Sequence, residues 1–279
     1  MVYCLDMINL DRWVKSRNRV LVMGILNITP DSFFDGGSWL APENALRRAE
    51  HMVADGADIL DIGGESTRPG ATPVGPEEEL RRVMPVLERI RQTLTCPLSI
   101  DTMHARVARE ALAVGAVIVN DISALRADPD MMETCAAGDA FVVLMHMQGM
   151  PQTMQASPTY EDVVHDVHAF LASRCQAAVS AGIPKRRLIV DPGIGFGKTV
   201  EHNVDLIKRL HEIRDLDVPI LLGTSRKSFL GTILDEPVEG RLEGTIAANT
   251  AAIIHGADII RVHDVKEGRR TADVAGWFR

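Results

Sequence analysis

Along this chain, short apolar runs end on, or just before, polar side chains suited to chemistry. VLVMGIL leads into Asn27, DILDIGG into Glu65, Thr67 and Arg68, and CPLSI into Asp101. VIVN closes on Asn120 and Asp121, FVVLM on His146, and RLIV on Asp191. PILLG runs into Ser225, Arg226 and Lys227, and ADIIR delivers Arg261 and His263. Arg68, Lys227, Arg261 and His263 are donors that could grip a phosphate or diphosphate, the arginines through a fork of N–H groups. Asn27, with nearby Asp31 or Asp35, offers oxygen ligands to Mg2+, an ion that usually bridges one or two protein ligands to phosphate oxygens. Asp101, Asn120 and Asp191 could meet a flat, nitrogen-rich heterocycle. An ionised Asp accepts two N–H bonds from an amidine-like edge, and an Asn both donates and accepts.

Taken singly, each residue also has a plain structural explanation. Asp101 before Thr102 could be a helix N-cap, and Asn120 could hold a turn. His146, between Met145 and Met147, reads as a packed, satisfied histidine. His51, His165, His168 and His211 fall on predicted helices, as surface or packing residues. DPGIGFGK lacks the G-x-x-x-x-G-K-[ST] spacing of a nucleotide phosphate loop. The functional case therefore rests on many strand ends converging.

Parallel strands place all their C-terminal ends on one side. A (β/α)₈ barrel uses that arrangement to assemble one active site from distant residues. Between the apolar runs lie helix-like segments, from PENALRRAEHMVADG through PEEELRRVMPVLERIRQTL, HARVAREALAVG and ADPDMMETCAAG to YEDVVHDVHAFLASRCQAAVSAG. EHNVDLIKRLHEIR, GRLEGTIAANTAAIIHG and HDVKEGRRTADVAGWF complete the set. Pro42 suits a first helical turn and Gly56 a stop, while Glu77, Glu78 and Glu79 suit the positive end of a helix dipole. Strands as continuously apolar as FVVLM fit a sheet covered on both faces. The prediction is an α/β fold, a single (β/α)₈ TIM barrel with its active site at the C-terminal strand ends. One domain spans 1–279, with 1–19 an extension leading into the barrel. The long loops, 27–41, 63–75 and 147–158, all follow strands, so one rim carries the binding material.

Bulk properties fit a soluble enzyme. The chain has 279 residues, 46% of them hydrophobic and 24% charged, and one barrel of this length is ordinary. A net charge of −8 argues against a nucleic-acid partner, which selects a basic balance. Cys4, Cys96, Cys135 and Cys175 are scattered without metal-ligand spacing, as reduced thiols of a cytoplasmic protein would be. No signal-peptide core or apolar run of membrane-spanning length is present, so no membrane partner is expected.

Eight segments resemble the dihydropteroate synthase family, in the family's order: ILNITPDSFFDGG, DIGGESTRPGA, SIDT, NDI, LMHMQGMPQTMQ, DPGIGFGK, GTSRKSFLG and IIRVHDV, within residues 20–267. The resemblance implies a pterin-binding barrel of folate biosynthesis. Such a transferase joins 6-hydroxymethyl-7,8-dihydropterin diphosphate to p-aminobenzoate, with Mg2+ as cofactor. It implies that Asn27 contacts the metal and that Asp31, Ser32, Phe33 and Asp35 lie in a first mobile loop. Thr67 and Arg68 would meet diphosphate and p-aminobenzoate, with Phe33 and Pro69 walling the aromatic ring. Asp101, Asn120, Asp191 and Lys227 would bind the pterin, packed by Met145 and Phe196. Ser225 would hold the p-aminobenzoate carboxylate, and Arg261 and His263 the diphosphate. The roles closest to the chemistry would fall to Asp101, Lys227, Arg261 and His263. The family also implies a homodimer through the last helices and sensitivity to sulfonamides, which imitate p-aminobenzoate. A pterin-binding methyltetrahydrofolate methyltransferase would share Asp101, Asn120 and Asp191, but would not need SRK, RVH or ESTRPG. A non-catalytic pterin-binding homologue should have lost Arg68, Lys227 or Arg261, and all are present.

Overall fold

In the computed structural model, which describes residues 10–14, 16, 19–28, 41–65, 74–149 and 153–279, the apolar runs are strands. They are β1 (Leu21–Asn27), β2 (Ile59–Gly63), β3 (Leu98–Asp101), β4 (Ile118–Asp121), β5 (Phe141–Met145), β6 (Leu188–Asp191), β7 (Leu221–Leu222) and β8 (Ile259–Val262). All neighbouring strands pair in parallel, in the order β6-β5-β4-β3-β2-β1-β8-β7. The circle closes between β6 and β7 through a Val190–Ile220 bridge, with the Val190 N–H donating to Pro219 O at 2.9 Å. This is the predicted barrel.

The helices are α1 (Ala41–Ala54), α2 (Pro76–Thr93), α3 (Ala105–Ala113), α4 (Met131–Ala137), α5 (Val163–Ser180), α6 (Val200–Lys208), α7 (Ser228–Leu234), α8 (Leu242–Ile254) and α9 (Val265–Ala275). Two differ from the sequence reading. EHNVDLIKRLHEIR does not run as one helix: α6 ends at Lys208 and a 3₁₀ segment, Leu210–Leu216, follows, a common tightening at helix ends. The short α7, with Gly231 inside it, lacks a helical pattern of its own. Burial of Phe229 and Leu230 holds it, an instance of packing overriding propensity.

Strand alternation splits the apolar side chains into two compartments. Val22, Leu60, Ile62, Ile100, Val119, Leu144 and Val190 face the helix layer. Leu21, Met23, Ile59, Ile118, Phe141, Val143, Ile189, Leu221 and Ile259 fill the lower barrel interior. The second group has a lid from outside the repeat. Residues 10–14 and 16 are helical, and Leu10 and Trp13 are buried against the interior cluster. The indole N–H of Trp13 donates to Arg19 O at 2.8 Å, so burial leaves no polar orphan there. Leu10 and Trp13 thus seal the barrel bottom. Arg187 lies at the same end, 3.1 Å from Asp139 and 3.6 Å from Asp11. Its guanidinium carbon stands 4.7 Å from the Phe141 ring centroid.

Among the described residues no helix is long and apolar enough to cross a membrane. Cys96 and Cys135 are buried thiols and Cys175 is half-buried.

Candidate active site

Two residues beyond the apolar interior layer, the same inward faces turn polar. Ile59 is followed by Asp61, Ile118 by Asn120, Ile189 by Asp191, and Ile259 by Arg261. A period of two delivers each to the barrel mouth. Register sets Asp101 beside Asn120 and Met145 beside Asp191. The strands therefore bring Asp101, Asn120, Met145, Asp191 and Arg261 to one place, as the sequence reading expects.

The acids and the cations, read as separate groups in the sequence, are joined. Arg261 donates through Nε to Asp61 Oδ2 and through a terminal nitrogen to Asp101 Oδ2, each at 2.6 Å. Asn120 Nδ2 donates to the same Asp61 Oδ2 at 3.0 Å. One guanidinium thus serves two carboxylates. Burial pushes the Asp101 carboxyl up to about 7, against the pull of Arg261 and with a further push from the Asp61 charge. Arg261 stays protonated: burial opposes its charge, but Asp61 and Asp101 outweigh that and raise its pKa. Asp191 is raised by burial as well, offset by Lys227 and by the Gly193 N–H, which donates to Oδ1 at 2.7 Å.

Lys227 completes this wall. Its ammonium donates to Ile194 O and stands 4.4 Å from the Phe196 ring centroid, within cation–π range. Burial lowers its pKa to about 8. Ile122, Met145, Met147 and Met154 form an apolar cluster with Met103 and Phe196 packed against it. Polarisable methionines suit contact with a flat ring.

Ser225 and His263 meet at the ends of β7 and β8. Ser225 Oγ lies 3.0 Å from His263 Nδ1 and accepts the His263 N–H at 3.2 Å. Between Ser225 and Lys227, Arg226 adopts a left-handed φ of +56°. Its side chain pairs with both oxygens of Asp264 at 2.8 Å. Arg226 therefore clamps the β7 loop to the β8 loop.

Asp61 and Lys198 were missed in the sequence reading. Asp61 had a signal, standing two residues after an inward isoleucine. Lys198 had none in its glycine-rich string. Its buried ammonium donates to Gly193 O at 2.9 Å and Phe196 O at 3.0 Å, and meets His146 Nδ1 at 3.0 Å. DPGIGFGK is thus a loop pinned by its own lysine. Gly193 is required there: φ is +71° and a Cβ would lie 1.9 Å from His146 O. His146 is packed and satisfied, as expected, against Phe170 at 4.9 Å. Burial, followed by the Lys198 charge, lowers its pKa to about 3.

For Mg2+, Asn27 ends β1 in register with Gly63, which in turn pairs with Asp101. Its neutral amide oxygen fits an ion that takes its other ligands from phosphate and water. Thr67, Arg68, Pro69, Phe33, Asp31 and Asp35 lie outside the described residues. A second group, Glu65, Glu79 and His104, has ligand-type atoms within 4.8 Å of one another. There Glu79 Oε2 accepts from Thr102 at 3.0 Å and meets His104 Nδ1 at 2.7 Å. The hydrogen bond to Glu79 raises the His104 pKa. The group braces α2 against the end of β3.

Residues 23–263 match the family described as pterin binding enzyme. Dihydropteroate synthase of Haemophilus influenzae is 50% identical over 244 residues, 88% of each chain. The chain belongs to the dihydropteroate synthase family. The solved Yersinia pestis dihydropteroate synthase, a sulfonamide drug complex, aligns at TM-score 0.88 and 45% identity, covering 93% of this chain and 94% of that one. The Xanthomonas albilineans dihydropteroate synthase, in complex with 7,8-dihydropteroate, aligns at TM-score 0.84 and 44% identity, covering 92% and 93%. The family's barrel is thus the frame on which this floor of carboxylates, one shared guanidinium and the lysine wall are mounted.

Proposed function

We propose that this chain, working as one domain, is a dihydropteroate synthase: it joins 6-hydroxymethyl-7,8-dihydropterin diphosphate to p-aminobenzoate through SN1-like loss of diphosphate. The observation that carries the reading is the convergence of Asp101, Asn120, Asp191, Lys227 and Arg261 at one barrel mouth, in a chain of this family.

The C–O bond to diphosphate breaks with its electron pair leaving on oxygen, and the cation left on the CH₂ delocalises into the pterin. Asn120, Asp191 and Lys227 hold the pterin between Met145 and Phe196, and Asp101 and Asp191 face the growing positive charge. Arg261, His263 and Arg68 meet the growing negative charge of the leaving group. Ser225 already accepts the His263 backbone N–H and can donate to Nδ1, the tautomer that puts the ring proton on Nε2 for the leaving-group anion. Asn27 would hold Mg2+, which supplies positive charge to the diphosphate when bound. The aniline nitrogen of p-aminobenzoate, placed by Thr67, Ser225, Phe33 and Pro69, donates its lone pair to the CH₂ and then loses a proton. No covalent enzyme intermediate is required.

The chain is cytoplasmic. Val274, Trp277 and Phe278, exposed at the end of α9 and in the turn after it, pair two copies into a dimer. Sulfonamides compete for the p-aminobenzoate subsite. The test is diphosphate release from the dihydropterin diphosphate with Mg2+, with and without p-aminobenzoate, identifying the pterin product by mass. Dihydropteroate formed only when all three are present supports the reading. Tight pterin binding without condensation overturns it in favour of a binding protein.

A further inference from the structure

Asp61 is a fully buried carboxylate in the middle of β2, and stability alone gives it no reason to be there. Its Oδ1 has no hydrogen-bond partner among the described residues, nor has Ser99 Oγ, its register neighbour on β3. A buried orphan of this kind is destabilising. Its Oδ2, by contrast, binds the two side chains that flank Asp101 on either side, Asn120 at 3.0 Å and Arg261 at 2.6 Å.

We infer that Asp61 is a positioning residue for the condensation, fixing the orientation of Asn120 and acting as the permanent counter-ion of Arg261. The inference rests on the function proposed above. An ionised carboxylate only accepts hydrogen bonds, so Asn120 must turn its amide nitrogen down to Asp61. Its carbonyl oxygen then faces the mouth, and Asn120 meets the pterin as an acceptor of ring or amino N–H groups. Arg261 holds its two carboxylates through different nitrogens, Nε to Asp61 and a terminal nitrogen to Asp101. The terminal end can therefore exchange Asp101 for a diphosphate oxygen while Nε stays on Asp61. Arg261 keeps a buried counter-charge throughout, and Asp101 is released to face the pterin at the moment the leaving group is gripped. Asp61 touches neither substrate in this scheme; it acts through its two partners.

Two measurements test this. In Asp61→Asn, kcat/KM for the dihydropterin diphosphate is expected to fall on the order of 10²-fold, as misplacement of binding groups does. KM for p-aminobenzoate should hold within about twofold. Ser99→Ala, at the same depth but touching neither partner, should leave both constants within about twofold. Equal losses for both substrates, or none, would overturn the assignment. The second measurement needs no Asp61 variant and stands even if that variant does not fold. In the wild-type protein, the ¹⁵N resonance of Arg261 Nε–H, assigned by its absence in Arg261→Lys, is followed as inorganic diphosphate and Mg2+ are added. The Nε–H signal should stay in place while the terminal nitrogens shift; a displaced or exchanging Nε–H contradicts the permanent pairing. Failure of the function itself would appear separately, as wild-type protein that makes no dihydropteroate.

Discussion

Two arginines sit at opposite ends of this barrel, each facing two carboxylates, and they are built for opposite ends. Arg187, at the sealed bottom, pairs with Asp139 and Asp11 and lies over Phe141. Those carboxylates lie partly in solvent, with 65% of the Asp139 side chain exposed, so charge is cheap there and the ensemble is a fastener. Arg261, at the mouth, is shared by Asp61, which is wholly buried, and Asp101, with 11% of its side chain exposed. Two carboxylates drawn into low dielectric around one guanidinium leave an uncompensated negative charge, so this cluster stores a demand for positive charge. A forming pterin cation answers that demand. The same residue types fasten at one end and do chemistry at the other because the carboxylates are exposed at the bottom and buried at the mouth.

Substitutions can break that contrast. The largest effect should come from the bottom: Trp13→Ala removes the plug over the interior cluster and should cost about 3–5 kcal/mol of stability. Measured by denaturant unfolding, it should be accompanied by near-normal turnover per folded molecule; a specific loss of kcat would mean the two ends are not separable. Next, Arg261→Met should lower kcat/KM by about 10²–10³-fold, the scale of a lost transition-state charge contact, and should also lower the melting temperature, because it strands the buried carboxylates of Asp61 and Asp101. Unchanged kcat/KM per folded molecule would make Arg261 a fastener after all.

Asp101→Asn sharpens the electrostatic side. In the wild type, Asp101 must be ionised to face a cation, and its pKa near 7 places the acid limb of kcat/KM there. Activity should fall about tenfold per pH unit below that point. Lys227, lowered to about 8, should set the alkaline limb as it loses its proton. Asp101→Asn should lower kcat by roughly 10²-fold and abolish the acid limb; a limb that survives belongs to another group. The same raised pKa means the folded protein holds a proton that the unfolded chain releases. Wild-type stability therefore declines as pH climbs from the ordinary carboxylate range through about 7, and Asp101→Asn should flatten that decline. The smallest effect should come from Arg187→Met, about 1.5–3 kcal/mol of stability for its charged hydrogen bonds, with kcat/KM unchanged. Lost activity there would tie the fastener to the chemistry.

Much of the mouth was legible from the sequence, because functional residues of a parallel barrel sit where strands stop, and strand ends are easy to find. Asn120, Asp191 and Lys227 were placed in this way, and the motif strings assigned their roles. Asp61 escaped because it lies inside DILDIGG rather than at its end; in a strand apolar on both faces, inward and outward positions look alike. The pairing of Arg261 with both acids depends on β8 lying beside β1, a closure between residues distant in sequence. The plug formed by Leu10 and Trp13 was hidden for a similar reason: its partners are the first inward residues of strands spread from β1 to β8. Lys198 is an orphan of composition, since its ligands are mostly backbone carbonyls, which every residue carries.

On β2, β4, β6 and β8, the residue that fills the core and the residue that serves the mouth are two positions apart on one face. Each strand is therefore read in a single frame for both purposes. Losing one residue between Ile59 and Asp61 would swing Asp61 out among the helices and bring an isoleucine into the pocket. Swapping one side chain for another can damage folding or catalysis alone, but an insertion or deletion within these strands strikes both together. Length changes should accordingly survive in the loops of this barrel and be purged from its staves.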